Sequence, residues 1–502
     1  MNDNDNKNPP KTRRLNMLKL VEQVKSRHQD KSKKSPQLSK QPLAPEQLKL
    51  ESLEPRILLS ADLAVDVSSQ LNLEHRQPGE HLVVNLNVEN NGDIATNAPF
   101  KVDLYASLDG SLGDDDILLG SKTFTGKLSA DQQKLLKVPL ELPETLAPAN
   151  YTLIAKVDGE GKIAENDESN NVSSLGNLNV EWSFGVVSGH KGSTVLNLKT
   201  ADGTEATFKL TGGGQGTVDY QNGQFNIALT GTTARSSLLV TVVNGSGPGT
   251  IGSINSALGL SSIKVSNVAL TGDINVNGKL AILSLGNVSN SRIAIAGQGA
   301  KLDVSAGNIE NLDFQSATPV GKFIANQWLD TDGQVDKLTA PSLASLRISG
   351  DFQADLNLAG ADKNGFGLRS ATIGGVSSGD WNVQRKAGTL TLGSTSVNWH
   401  AAFGDAISTL RCKGDLFGSL NMPSILTLQV DGDINAAEVN VGADLGADGV
   451  LGGDGMNADA FSQGRLNQLI VKGDVNNSNL RIGVNPIDGI YGNNNDVLLS
   501  SA

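Results

Sequence analysis

The chain has 502 residues, enough for two or three domains; 38% of them are apolar and 4% aromatic, and 56 are glycine. Its net charge of −12 is unevenly distributed: residues 1–50 hold twelve Lys and Arg against five Asp and Glu, so the rest of the chain carries −12 − 7 = −19. An acidic body disfavours nucleic acid as the main partner, because phosphate contacts need clustered Lys and Arg. The composition favours short strands and turns over a helical enzyme.

The N-terminal part of the chain predicts neither a membrane span nor a standard secretory signal. No window reaches the roughly 18 apolar residues of a span, and the N-terminus lacks the apolar segment of a signal peptide. Residues 1–49 are rich in Lys, Gln, Ser and Pro, which predicts a disordered basic leader.

Residues 50–61, "LESLEPRILLSA", join this leader to the first strand pattern. Pro55 disfavours helix at Glu54, and the three apolar residues after Arg56 are too few to span a bilayer. The segment is therefore interpreted as a linear tag. It is similar to the LEPR-XLL motif of large bacterial surface proteins, which implies a role in export or sorting. The matching residues are Leu53, Glu54, Pro55, Arg56, Leu58 and Leu59.

Residues 62–175 alternate apolar and polar residues in segments such as "HLVVNLNVEN" and "FKVDLYAS", separated by turn signals such as "NNGD". A period of two is typical of half-buried strands. About seven such strands in about 110 residues predict an immunoglobulin-like β-sandwich.

Particular landmarks in this region resemble the CARDB family, the cell-adhesion-related domain of bacteria. They are the turn "VENNGD", the strand end "YASLDG", the strand "YTLIAKVD" and the closing "ENDESNN". The resemblance implies a non-catalytic surface module. Its closing landmark comprises Glu165, Glu168, Asn170 and Asn171.

Residues 176–255 contain Asp-Gly, Asn-Gly and triple-Gly turns between alternating segments, which predict β-hairpins that connect the sandwich to the next region or begin it.

From residue 256 to 502 one template recurs, in which alternating apolar residues lead to a Gly-Asp pair and a second alternating segment. Its clearest copies are anchored at Gly272, Gly350, Gly414, Gly432 and Gly473. A period of about 20 residues predicts a right-handed parallel β-solenoid, whose stacked coils bury the apolar residues that one coil cannot. We expect each Gly to adopt a positive φ, and each Asp to bond to the backbone of its own turn.

Two acidic loops, "DGSLGDDDILLG" and "DLGADGVLGGDGMNADAF", place oxygen donors among glycines, a pattern that suits calcium. Neither matches the full EF-hand template, so polar surface loops are the alternative. The candidate ligands are Asp109, Asp114 and Asp116 in the first loop and Asp444, Asp448, Asp454 and Asp459 in the second.

No catalytic motif stands out. The five histidines are scattered without metal-ligand spacing, and the single cysteine, Cys412, lies in an alternating apolar stretch that predicts a buried thiol. The enzymatic alternative is a polysaccharide lyase or hydrolase, since β-solenoids host both. Its candidate groups are Asp415 and Asp433 with Arg411 nearby, although the repeat itself also explains both carboxylates.

The sequence thus predicts an all-β, exported or cell-surface bacterial protein that is not an enzyme. The sandwich and solenoid would serve adhesion or structure as spacer and interaction modules, reaching the cell surface by a non-standard export route. Expected partners are surface proteins or glycans and export machinery that reads the N-terminal motif; calcium is the one cofactor considered. Two alternatives stay open: a β-solenoid lyase or hydrolase, and a calcium-stabilised secreted passenger.

Overall fold

The computed structural model describes residues 59–69, 71–243, 245–246 and 249–499. Within these ranges the chain forms 41 β-strands and one 3-10 helix, Gly455–Asn457. The predicted all-β class is therefore confirmed. The basic leader, residues 1–49, lies outside the described residues. No helix in the described ranges has the length and apolarity needed to cross a membrane.

The first eight strands form a two-sheet sandwich, one strand more than the approximate count expected. Three strands form one sheet in the order β1-β3-β6, and five form the other in the order β2-β8-β7-β4-β5. The alternation in β6 buries Leu136, Val138 and Leu140 between the sheets and exposes their neighbours. The strands are β1 Leu63–Val67, β2 Leu73–Arg76, β3 His81–Asn90, β4 Phe100–Ser107, β5 Ile117–Phe124, β6 Gln132–Glu141, β7 Ala149–Val157 and β8 Val172–Val180.

The region predicted to contain hairpins begins the two long sheets that follow. Its strands are β9 Ser183–Gly185, β10 Val195–Lys199, β11 Glu205–Thr211, β12 Gln215–Gln221, β13 Gln224–Thr230 and β14 Ser237–Val243. They pair antiparallel with one another, and β13 and β14 then receive the first parallel strands. Asn222 and Gly223 have φ of 53° and 80°, the conformation of an Asn-Gly hairpin turn. The hairpins thus cap one end of the solenoid.

Nineteen of the next twenty strands alternate between two parallel sheets, so that one strand in each sheet makes one coil; the remaining strand, β23, pairs with β21 beside the main path of the 16-stranded sheet. This confirms the predicted solenoid-like stack. The strands are β15 Thr250–Ser256, β16 Leu260–Val265, β17 Leu270–Val276, β18 Leu280–Leu285, β19 Val288–Ile295, β20 Leu302–Ser305, β21 Asn308–Ser316, β22 Val320–Ala325, β23 Gln327–Leu329, β24 Lys337–Ala340, β25 Leu346–Ile348, β26 Asp355–Leu358, β27 Phe366–Ile373, β28 Val376–Val383, β29 Lys386–Leu392, β30 Ser394–Phe403, β31 Ile407–Cys412, β32 Leu416–Met422, β33 Ser424–Val430 and β34 Ile434–Val441.

The last strands follow an insertion. They are β35 Ala443–Asp444, β36 Ala460–Phe461, β37 Arg465–Val471, β38 Val475–Asn476, β39 Asn479–Ile482, β40 Val484–Pro486 and β41 Asp496–Leu498. Strand β37 extends the 13-stranded sheet, and β38 and β39 extend the 16-stranded sheet. Between β34 and β37 the chain leaves the stack, forms the short pair β35–β36 and returns.

One continuous apolar core runs through the hairpin cap and the coils, from Phe184 to Val441. Within it the scarce aromatic residues stack on one another. Trp328 lies 5.6 Å from Phe352, and Trp381 lies 5.7 Å from Trp399, each pair edge-on. The few aromatic residues of the chain are therefore concentrated in the interior of the solenoid, where each ring packs against rings of the neighbouring coils.

The corner glycines correct one expectation. None of the five anchors has a positive φ. At Gly272, Gly432 and Gly473 the backbone of the neighbouring coil lies too close for a side chain: a Cβ on Gly432 would lie 2.6 Å from the carbonyl carbon of Gly414. The Gly432 N–H donates to Gly414 O at 3.2 Å, and the Gly473 N–H donates to Gly432 O at 3.1 Å. The expectation of positive φ at these positions was wrong.

The residue with a left-handed backbone, that is, with a positive φ, instead lies four positions after the corner glycine. Gly418, Ala436 and Asn477 follow Gly414, Gly432 and Gly473 in this way, with φ of 80°, 45° and 50°. Beside Gly418 and Ala436 the register between β32 and β34 shifts by one residue, between Leu416 and Gly418.

Gly272 is out of phase with the other four anchors. It lies inside strand β17, whereas the others lie at corners between the two sheets. Its Cβ would meet Gly252 O at 1.9 Å, so close stacking still explains the glycine.

The anchor aspartates also differ from expectation, because they bond to the next coil and not to their own turn. Asp351 accepts a hydrogen bond from the Val376 N–H, and Asp433 accepts one from the Asp474 N–H, both at 2.8 Å. The aspartates thus staple consecutive coils together.

Only Glu181 and Trp182 separate the last sandwich strand from β9, and side chains fasten this junction. The Trp182 indole N–H donates to Leu146 O at 3.0 Å. Glu80 Oε1 lies 2.7 Å from His190 Nε2. The buried amide of Gln77 donates to Thr194 Oγ1 at 3.2 Å. The sandwich is therefore joined to the hairpin cap by specific contacts.

Candidate functional site

In the first acidic loop, Asp109 and Asp116 are each bonded within a turn. Asp109 Oδ1 accepts hydrogen bonds from the Ser111 N–H at 2.8 Å and from Ser107 Oγ at 3.0 Å. The Ser111 contact and then the Ser107 contact lower the pKa of Asp109. Asp116 Oδ2 accepts from the Gly113 N–H at 2.8 Å, and Asp114 is exposed. These contacts are turn caps.

The second acidic loop lies in the insertion after β34. Asp459 Oδ2 accepts from the Gly452 N–H at 2.7 Å, while its Oδ1 is buried with no partner among the described residues. Burial raises the pKa of Asp459, and the charges of Asp448 and Asp444 raise it further. Asp454 is exposed.

Calcium binding stays a prediction. Within the described ranges no three His, Cys, Asp or Glu side chains are grouped closely enough to hold a metal ion.

The export motif lies almost entirely outside the described residues. Leu53, Glu54, Pro55, Arg56 and Leu58 precede them, and Leu59 is exposed at their start. Its role stays a prediction.

The carboxylates considered for catalysis are engaged by the coil stack. Asp415 and Asp433 each accept a hydrogen bond from a backbone N–H of the following coil. Arg411 binds Asp431 through Nε at 3.0 Å, and Lys472 Nζ lies 2.8 Å from the same carboxylate. The Lys472 contact is the largest cause that lowers the pKa of Asp431.

Cys412 is fully buried, as predicted, and burial raises the pKa of its thiol to about 12. The group is a core side chain without reactive thiolate character.

The closing landmark of the sandwich anchors the start of the domain. Glu165 accepts a hydrogen bond from the Leu63 N–H, and Asn170 Nδ2 donates to Asp62 Oδ1 at 2.7 Å. Burial raises the pKa of Glu165 to about 7. Asn171 Nδ2 donates to Glu168 Oε2 at 3.1 Å. The landmark therefore clamps strand β1 to the loop between β7 and β8.

Sequence reasoning missed a cleft on the outer face of the 16-stranded sheet. The insertion after β34 folds back over this face. Asn382 of β28 donates Nδ2–H to Ala447 O at 2.9 Å, and Leu445 is buried against Ala402 of β30. These contacts hold the loop above the sheet and leave a cleft of about 370 Å³ between them.

The floor of the cleft comes from a polar row that the parallel register aligns. The row consists of Arg292, Asp313, Lys337, Asp355, Asp380, His400, Ser419, Glu438 and Asn479. Successive members stand on strands about 4.8 Å apart. Asp380, His400 and Ser419 line the cleft, and His400 Nδ1 lies 3.0 Å from Ser419 Oγ. His400 Nε2 remains available for a ligand.

Amide and aromatic side chains complete the cleft. Asn440 Nδ2 donates to Asn421 Oδ1 at 2.9 Å on the floor. Leu445, Val450 and Leu451 provide an apolar wall. The Tyr491 hydroxyl is buried with no partner among the described residues, and burial raises its pKa to about 12, so it is a neutral donor.

The free charges in the cleft are negative. Arg481 lies 4.9 Å from the centre of the Tyr491 ring, but its guanidinium is paired with Glu438. The carboxylates of Asp380 and Asp448 also line the cleft, and neither is paired with a cation among the residues that the structure describes.

A second hollow of about 530 Å³ continues the cleft along the stack. The loop from Asp330 to Val335 forms one side, and Asp380 lines both spaces. The two hollows thus form a groove that crosses successive strands.

Comparison with known proteins assigns the sandwich to a domain family. Residues 60–175 match the model of the CARDB family. A CARDB domain from Pyrococcus furiosus, solved in complex with di-metal ions, is 22% identical over 24% of this chain and 94% of its own, with a TM-score of 0.19.

Two further solved structures are similar. A domain of a candidate cell-surface protein from Methanosarcina acetivorans is 21% identical over 24% of this chain and 92% of its own, with a TM-score of 0.18. The sporulation control protein of Bacillus subtilis is 14% identical over 34% of this chain and 79% of its own, with a TM-score of 0.18. No curated protein matches the chain. The family match confirms the predicted resemblance: residues 60–175 form a CARDB domain.

Proposed function

We propose that the protein is an exported or cell-surface protein with an adhesive or structural role and no catalytic activity. The CARDB domain and the solenoid would act as spacer and interaction modules, and surface proteins or glycans would be the partners. The segment Leu53–Leu59 would be read by export machinery.

The junction between sandwich and solenoid carries this proposal. Trp182, His190 and Gln77 fasten the CARDB domain to a capped stack. The 13-stranded sheet alone extends about 60 Å at the usual strand spacing. A domain joined firmly to a stiff stack with polar outer rows suits display of binding surfaces at a distance.

An adhesion assay tests the role. Beads coated with the full-length protein are expected to be retained on cells or matrix of the encoding organism at least about tenfold better than beads coated with heat-unfolded protein. Equal retention of both would overturn the adhesive role.

Calcium binding by the second acidic loop is a second proposal, favoured by the unpartnered Oδ1 of Asp459. The glycines of the loop, several of which have positive φ, would allow Asp444 and Asp448 to close around an ion with Asp459. Such binding would stabilise the folded protein outside the cell, where calcium is abundant.

A further inference from the structure

The groove on the outer face of the 16-stranded sheet is not a product of coil stacking alone. Its roof is an insertion that leaves the stack after β34, and its floor is the outward face of strands that are already paired. We propose that the groove binds a neutral oligosaccharide, a segment of a surface or matrix polysaccharide.

The hydrogen-bonding groups of the cleft match sugar hydroxyls, each of which donates and accepts. Asp380 and Asp448 provide acceptors. His400 Nε2 is an available polar atom, since Nδ1 is engaged by Ser419. The combination of acceptor-only and donor-capable groups fits a polyol.

The wall of the cleft is apolar, as the C–H faces of a pyranose require. Leu445, Val450 and Leu451 line it, together with Tyr491. A volume of about 370 Å³ falls in the usual range of small-molecule clefts. Apolar walls around a few convergent polar groups are the usual composition of such sites.

The charge of the groove selects against anionic ligands. Asp380 and Asp448 are carboxylates, and Arg481, the cation beside Tyr491, is neutralised by Glu438. A uronate or phosphate would therefore meet repulsion without a free cation. A basic peptide would fit the charge, but its Lys and Arg side chains only donate, so the amide donors of Asn421 and Asn440 would find acceptors only in its backbone carbonyls.

The groove favours a chain over a single sugar. The second hollow continues from the cleft through Asp380 and provides a further 530 Å³. A hexasaccharide could occupy both spaces, whereas a monosaccharide would use one.

The proposal deepens the adhesive role and rests on it for the source of the glycan, but binding is measured on the purified protein and apart from bead retention. Titration calorimetry of the full-length protein would use cellohexaose, laminarihexaose, mannohexaose and maltohexaose. Tetragalacturonate and hexalysine provide the anionic and cationic comparisons. We expect at least one neutral hexasaccharide to bind at least about tenfold more tightly than its monosaccharide, a difference of about 1.4 kcal/mol.

Three variants locate the site. His400→Ala and Asp380→Asn should each weaken the binding at least about tenfold while the melting temperature stays near that of the wild type. Arg292→Ala, in the same polar row but remote from the cleft along the sheet, should leave the affinity unchanged. Cleavage of the bound hexasaccharide would support the groove as a glycan site while contradicting the non-catalytic role.

Three outcomes would overturn the proposal. They are the absence of binding by all four neutral hexasaccharides, undiminished binding in both cleft variants, and a preference for tetragalacturonate or hexalysine. Failure of bead retention with intact hexasaccharide binding would overturn only the adhesive role.

Discussion

The carboxylate of Asp415 accepts a hydrogen bond from the backbone N–H of Asp433, 18 residues further along the chain, at 2.8 Å. This contact joins two coils at their corner, where backbone bonds also connect Gly414 and Gly432. Repetition of one staple at each corner fixes the register of the stack, because a slipped coil would lose the acceptor for a backbone donor.

Removal of this staple should destabilise the solenoid. Asp415→Ala leaves the Asp433 N–H without its acceptor, so we expect a loss of about 1–3 kcal/mol in the free energy of unfolding. Asp415→Asn retains an Oδ1 acceptor and should lose less. Urea unfolding followed by tryptophan fluorescence measures both, and equal losses in the two variants would show that the bond is not the cause.

Strain at Ala436 offers a stabilising change. Its φ of 45° is costly for a residue with a Cβ, whereas Gly418 occupies the corresponding position of the preceding coil. Ala436→Gly should therefore raise the free energy of unfolding by about 1 kcal/mol, measured by the same unfolding curves.

Gly432→Ala provides the opposing comparison at the same corner. Its new Cβ would lie 2.3 Å from Asp415 Oδ1, so we expect a loss of about 1–3 kcal/mol or more. A stabilising Gly432→Ala or a destabilising Ala436→Gly would contradict the assignment of close stacking to one position and left-handed backbone to the other.

The sequence predicted the solenoid well but not the function of each repeat residue. The Gly-Asp pairs indicated the coils. However, close stacking and positive φ both favour glycine, and the sequence alone does not show which of the two applies at a given position. Gly272 shows the same alternating apolar pattern as the corner glycines, because apolar and polar residues alternate in the same way within a strand and before a corner. Its phase could be read only from the pairing of β17 with its neighbours.

The groove could not be predicted because its parts are distant along the chain. The Asn382–Ala447 hydrogen bond spans 65 residues. The sequence of the insertion indicated only an acidic loop, and it contains no signal that Leu445 packs on Ala402. His400 appeared as a lone histidine, since its alignment with Asp380 arises from the parallel register. The CARDB domain was predictable because its landmarks are local turns and strand ends.

The stability of the sandwich should fall as pH rises towards neutrality. Burial raises the pKa of Glu165 from 4.5 to about 7, so between these values the folded protein binds more protons than the unfolded chain. The free energy of unfolding therefore decreases as pH rises through this window. After allowance for solvent screening we expect a change of about 1–2 kcal/mol from this residue.

Glu165→Gln should flatten this pH dependence and make the variant more stable than the wild type above pH 7. Calorimetric melting at pH 5 and pH 8 measures both effects. A separate slope of the same sign is expected in the melting of the solenoid, because burial there raises the pKa of Asp336 from 3.8 to about 6. An unchanged slope in Glu165→Gln would contradict the assignment.

Calcium should stabilise the protein if the second loop closes around it. At a calcium concentration 100 times the dissociation constant the expected gain is about 2.7 kcal/mol, and Asp459→Asn should abolish most of it. Asp114→Asn, in the exposed first loop, is the matched control. Melting curves with calcium and with chelator that coincide for the wild type would remove the proposal.

We propose that the protein acts outside the cell, delivered by the motif that precedes the CARDB domain. Proteinase K treatment of intact cells of the encoding organism, followed by detection of the full-length protein, tests this most directly. We predict that the protein is degraded on intact cells, and that a variant without residues 50–58, which leaves the buried Ala61 of the sandwich in place, is retained inside, folded and protected. Protection of the unaltered protein in intact cells, with degradation only after lysis, would contradict the account.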